Sequence, residues 1–163
     1  MRVIGTVFVF ALLATAPLAS AQKAIDITPY YIAGVHLGMS QPQAKATLLK
    51  PIRLDRLEDG YLRFVSPGQK VEAYFRTGTK GVAVVTTWSR VLQTDEQIGP
   101  CSTIAALKAT YGAKLAAFRQ NGKTVAYRMG SLVFTVNGKR VGAIGLGRGT
   151  QAVYVTLNVT PCR

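Results

Sequence analysis

The chain reads as an α+β fold: two tandem repeats, each a short helix followed by an antiparallel β-meander, with the helices on one face of the sheet. Three observations predict it. Leu37-Gly38-Met39-Ser40 running into Ala44-Lys45-Ala46-Thr47-Leu48-Leu49 resembles Ile98-Gly99-Pro100-Cys101 running into Leu107-Lys108-Ala109-Thr110-Tyr111-Gly112, and both stretches carry helix signals. Each stretch is followed by short apolar runs separated by Gly, Pro and Thr breakers, the pattern of strands and turns. Asn121-Gly122 and Asn137-Gly138 fall between such runs, a strong signal for a two-residue hairpin. Of 163 residues, 48% are hydrophobic and 17% charged, enough apolar material to pack a core.

The N-terminus reads as an address. Met1-Arg2 gives a positive start, Val3 to Ala14 is apolar apart from Gly5 and Thr6, and Ala19-Ser20-Ala21 has the small-residue spacing of a cleavage site. Residues 1–21 are therefore expected to be a secretory signal peptide, and 22–163 one mature unit of two repeats, about 30–96 and 97–163. The apolar run falls short of the roughly 20 residues of a membrane span, and no later run is longer. The expected product carries no membrane span and is secreted or periplasmic. In such an oxidising compartment Cys101 and Cys162, the two cysteines of the chain, are expected to form a structural disulfide.

In the first helix Ser40 and Gln43 have capping-box spacing, Pro42 sits in the first turn and Pro51 stops the run. In the second, Ser102 or Thr103 caps, Ile104, Leu107, Lys108 and Tyr111 recur at helical spacing, and Gly112 closes. Strands are expected over Tyr61–Val65, Val71–Arg76 and Val82–Trp88, then Leu115–Arg119, Val125–Met129, Leu132–Val136, Val141–Leu146 and Val153–Val159.

This order, an aliphatic-Gly-Met-Ser start, a short helix and a run of antiparallel strands, given twice, resembles the tandem helix-plus-sheet repeats of the beta-lactamase-inhibitor protein family. Over one repeat it is similar to SmpA/BamE-type envelope modules. The resemblance implies a binding role toward a protein partner; it carries over no functional residue.

Chemistry has little to work with. His36 is the only histidine and would need a nucleophile or carboxylate brought to it. Asp55, Glu58 and Asp59 cluster in an expected turn beside Arg53 and Arg56, without the alternating oxygen ligands of a calcium loop. Gly145-Leu146-Gly147-Arg148-Gly149 follows a strand, but with another strand expected after it the helix N-terminus of a phosphate loop is missing, so it reads as a flexible turn. No catalytic residue, metal site or cofactor is expected.

Charge is more informative. The formal net charge is +13. Residues 22–96 hold ten bases against seven acids, whereas residues 97–163 hold nine bases and no acid. With two-residue Asn-Gly turns, Phe118 opposes Val125, Ala116 opposes Tyr127, Arg119 opposes Thr124 and Leu115 opposes Arg128. In the next hairpin Phe134 opposes Val141, Leu132 opposes Ala143 and Thr135 opposes Arg140. In the last strand Val153, Val155, Leu157 and Val159 turn inward. Tyr61, Arg63, Tyr74, Arg76, Arg119, Arg128, Arg140 and Tyr154 are then expected on an outward face, rich in the residue types that dominate interface hot spots. The expected function is an exported non-enzymatic binding module that holds an acidic protein partner through that face. The alternative is adsorption to an anionic envelope polymer, or to nucleic acid, through the basic C-terminal half.

Overall fold

The computed structural model describes residues 26–49, 53–56, 60–159 and 161–162. The expected signal segment, the Pro51 stop, Glu58 and Asp59 lie outside them. In chain order the elements are β1 (Tyr31–Ile32), β2 (Val35–His36), α1 (Gln41–Thr47), β3 (Arg53–Arg56), β4 (Tyr61–Ser66), β5 (Val71–Arg76) and β6 (Val82–Thr87). They continue with α2 (Ile104–Tyr111), β7 (Ala116–Gln120), β8 (Lys123–Met129), β9 (Leu132–Asn137), β10 (Arg140–Gly147) and α3 (Gly149–Leu157).

The fold is α+β. Its main sheet has eight antiparallel strands in the order β3-β4-β5-β6-β10-β9-β8-β7. β3 to β6 form one meander and β7 to β10 another. They meet at β6 and β10, where Val85 opposes Leu146 and Thr87 opposes Ile144. Three short strands were not expected. Asp55 lies in β3, paired in register with Arg63, rather than in a turn, and β1 and β2 form a hairpin about Ala33-Gly34, both at positive φ.

Local signals explain the first two helices. Gln43 Oε1 accepts from the Ser40 amide at 2.9 Å and from its hydroxyl at 2.7 Å, closing the N-terminus of α1. Of the two expected caps of α2, Thr103 serves: its Oγ1 accepts from the Ala106 amide at 3.0 Å. Gly112 ends the helix at φ +45, a conformation costly for a side chain. Ala44 and Leu48, with Leu107 and Tyr111, pack on Phe64, Phe75, Phe134, Ile144 and Leu146.

The opposite face of the sheet belongs to α3, so the expectation of helices on one face holds for α1 and α2 and fails for the third. The expected strand Val153–Val159 is also corrected. Val153, Val155, Leu157 and Val159 alternate as a strand would, but Ala152, Val153, Val155, Thr156 and Val159 are the buried set, and their i, i+3, i+4, i+7 spacing is that of a helix. What selects the helix is the groove beneath it. A Cβ built on Gly145 would lie 2.0 Å from Thr156 Oγ1, and one on Gly147 would lie 2.7 Å from the Ala152 methyl. Glycines on β10 thus let small residues on α3 approach the strand closely, and Thr156 returns its hydroxyl to Ala152 O at 2.6 Å.

Both hairpins form, the first about its Asn-Gly pair, each with altered register. Asn121 (φ +49) and Gly122 (φ +76) make the expected two-residue turn, and Arg119 opposes Thr124. A shift then leaves Val125 unpaired, so that Phe118 opposes Ala126, Ala117 opposes Tyr127 and Ala116 opposes Arg128. One extra residue exchanges the two faces: Phe118 packs with the α3 cluster while Tyr127 joins the other. The second turn is Gly138-Lys139, one residue later than expected. Arg140 opposes Asn137 and Val141 opposes Val136, and after a bulge Ile144 opposes Phe134.

Cys101 and Cys162 are joined by a disulfide, their Cα atoms 5.5 Å apart and 61 residues apart in sequence. Both are tied to the start of β10, where the Cys101 amide donates to Val141 O at 2.8 Å and the Cys162 amide to Gly142 O at 2.7 Å. Among the described residues no helix is long and apolar enough to cross a membrane.

Candidate anion-binding site

β4 and β5 are paired so that Tyr61 opposes Arg76 and Arg63 opposes Tyr74. All four belong to the face of the sheet that α3 partly covers. They share one face, but two of them are not outward. Tyr61 and Tyr74 are 5% and 3% exposed, their rings edge-on at 6.4 Å, packed with Val84, Ala152 and Val153. The Tyr61 hydroxyl donates to Gln151 Oε1 at 3.1 Å, locking strand to helix.

Beside them lies a buried polar group that the sequence reading did not single out. Glu72 accepts from the Tyr74 hydroxyl and sits 3.5 Å from Arg63 Nη1. Burial first, and then the neighbouring Glu72 charge, push the Tyr74 phenol far above its ordinary range. Arg63 is half-buried in this cluster and serves the sheet rather than presenting a free surface charge.

The remaining expected face residues are dispersed. Arg128 is half-buried and its Nε donates to Gly130 O at 2.8 Å. Arg119 is exposed; alternation along β7 puts it on the other side from Phe118. Arg140 is exposed near the α2 cap, where its Nη1 donates to Cys101 O at 2.9 Å. Tyr154, 51% exposed, stands on α3 rather than on a strand, edge-on to Phe118 with ring centroids 5.7 Å apart. The eight residues do not make one continuous strand surface.

Two arginines do converge. Arg76 at the end of β5 and Arg148 at the N-cap of α3 line a cavity of about 380 Å³ together with Tyr61 and Gln151. Its wall includes Val82 and Val84. No carboxylate contributes to the lining, and Arg76 and Arg148 are both exposed without an ion-pair partner among the described residues. The reading of Gly145 to Gly149 as a flexible turn is corrected here. Gly145 and Gly147 are strand residues, Gly149 stands at φ +66, and a nine-residue helix begins directly. The i, i+4 pair of small residues Ala152 and Thr156, set against Gly145-x-Gly147, is the sequence signal that could have revealed it.

Elsewhere, His36 is exposed in β2 with its Nδ1 3.2 Å from Leu37 O. The Tyr111 hydroxyl donates to Glu96 Oε2 at 2.8 Å and lies within hydrogen-bond distance of Thr94 Oγ1, also at 2.8 Å. No group of three or more His, Cys, Asp or Glu among the described residues is arranged to hold a metal ion. Compared with protein-family models, curated proteins and solved structures, the chain matches none.

Proposed function

We propose that the chain is an exported, non-enzymatic binding module that holds an acidic protein partner through exposed arginines. The observation that carries this reading is the unbalanced charge. Residues 97–163 contain no acid. Arg119, Arg140 and Arg148, with Arg76 from the first half, are exposed and have no carboxylate partner among the described residues. Tyr154 supplies an exposed aromatic surface of the kind found at interface hot spots. The order of one helix and four strands, given twice and joined at β6 and β10, supports reading the chain as two tandem repeats, as the resemblance to beta-lactamase-inhibitor proteins and BamE-type modules implies. α3 has no counterpart after β6.

The spread of exposed cations over separate elements favours a second reading, adsorption to an anionic envelope polymer. Lys108 on α2, Lys123 on β8 and Lys139 in a turn are all exposed. Salt separates the two, because polymer binding falls log-linearly with salt concentration as counterions are released, whereas a packed interface keeps most of its affinity. The test is affinity capture from an envelope extract at low and high ionic strength, with Arg119→Glu/Arg140→Glu and Tyr154→Ala variants. Retention at high salt with loss in the variants supports the protein-partner reading. Binding of every protein and anionic ligand unchanged in Arg119→Glu/Arg140→Glu overturns it.

A further inference from the structure

We infer that the cavity between the end of β5 and the start of α3 seats an oxyanion, carboxylate or phosphate, carried on a short apolar stem. This inference rests on the reading of the chain as a binder of acidic partners, and it adds which group is gripped and where.

Three features of the cavity point the same way. Arg76 and Arg148 reach it from different elements, and neither has a carboxylate partner among the described residues. Two guanidinium groups brought to one cavity repel each other, and an anion between them reverses the sign of that interaction with planar, bidentate hydrogen bonding. Gln151 offers a third donor. Its Oε1 is taken by the Tyr61 hydroxyl, which fixes the amide orientation and leaves the Nε2 protons without a partner among the described residues. The Thr79 hydroxyl, also in the lining, is already committed to Arg76 O at 2.8 Å, so the donors are the arginines and Gln151. The first turn of α3 adds its own polarity: no side chain caps it and it holds no acid, so its amides and dipole favour negative charge.

The rest of the wall is aliphatic. Leu37, Val82 and Val84 contribute to the lining with the Tyr61 ring, and about 380 Å³ exceeds what a bare anion fills. A ligand matching both parts carries its charge at one end and a few carbons behind it. An acidic side chain or a chain-terminal carboxylate beside an apolar residue has this form, and so does a small organic phosphate.

The test is a titration of ¹⁵N-labelled protein with inorganic phosphate, acetate and hexanoate, followed by amide shifts. The expected result is saturable movement of the Gly149, Thr150 and Gln151 amides, with hexanoate binding at least tenfold more tightly than acetate because its methylenes leave water. Arg76→Gln/Arg148→Gln is expected to weaken hexanoate at least tenfold without lowering the melting temperature, since both side chains are exposed, while Arg90→Gln, exposed and outside the cavity lining, leaves it unchanged. Hexanoate binding equally well to the double variant, or the absence of saturable shifts at α3 with all three probes, overturns the inference. Capture of an acidic partner that depends on Arg119 and Arg140 but ignores hexanoate and the Arg76/Arg148 pair sinks this site and leaves the broader reading standing. A hexanoate site with partner capture indifferent to every arginine does the reverse.

Discussion

The hydroxyl of Tyr61 on β4 donates to the side-chain carbonyl of Gln151 on α3 at 3.1 Å, across 90 residues of sequence. That bond joins the first meander to the last helix and places a tyrosine expected at an interface inside the fold instead. Removing only the hydroxyl is expected to cost about 1 kcal/mol, and removing the ring roughly 3 kcal/mol. Urea unfolding of Tyr61→Phe and Tyr61→Ala measures both; equal losses in the two variants would mean the ring packs no core.

Gly145 is a contact residue by virtue of having no side chain. Gly145→Ala drives a methyl into Thr156 and is expected to destabilise by about 2 kcal/mol through overpacking. Thr156→Ala in the same chain removes the hydroxyl that collides and recovers part of the loss. A double variant less stable than the sum of the single changes would show that α3 does not approach β10 in this way.

The half-buried Arg63 and the buried Glu72 act as a pair beside Tyr74. Arg63→Ala strands the carboxylate and is expected to cost about 2 kcal/mol. Adding Glu72→Gln removes the stranded charge and restores part of that stability, a coupling that a double-mutant cycle reads directly. Additive losses would place Arg63 in solvent.

Tyr111 links the core to the surface carboxylate Glu96. Burial raises its phenol from the ordinary 10 to about 12. Above pH 10 the unfolded chain releases this proton while the folded chain keeps it, so stability present below pH 10 is lost as pH rises toward 12. On the acid side, the hydrogen bond from Tyr111 lowers the Glu96 carboxyl, and the stability it contributes is lost as pH falls through the carboxylate range. Tyr111→Phe is expected to flatten the stability profile at both ends. An unchanged alkaline slope contradicts the assignment.

The disulfide between Cys101 and Cys162 closes a span of 61 residues, which restricts the unfolded chain by about 4 kcal/mol in the entropic model. Reduction, or Cys101→Ser/Cys162→Ser, is expected to lower the denaturant midpoint accordingly. Mass spectrometry after alkylation without reduction should find no modified thiol; alkylation of either cysteine contradicts the pairing.

How much of this was readable depended on whether local and tertiary signals agreed. Phe64, Ala73 and Phe75 alternate along strands that lie where alternation puts them, because each strand has one face on the core. The Val153 to Val159 run alternates just as clearly and is mostly helix, because the glycines of β10 reward close approach more than β-branched side chains resist a helical turn. Phe118 was assigned the wrong face by a single unpaired residue, Val125, which composition does not mark. The free arginines could be counted from charge alone. Their meeting at Arg76 and Arg148 depends on α3 starting at Gly149, which the mistaken strand concealed.

The seam between β6 and β10 also dictates an order of events. As the chain is synthesised, β3 to β6 can pair with one another early, but β6 keeps an open edge until the residues of β10, more than fifty positions later, have emerged. Cys101 likewise waits for Cys162. Long-range pairing of this kind is slow to form, and an open edge is prone to pair with the wrong strand. A truncated product ending before β10 would therefore be expected to aggregate rather than persist as a stable half-molecule, and completion of the seam closes the edge of β6 and leaves only β3 and β7 at the margins of the sheet.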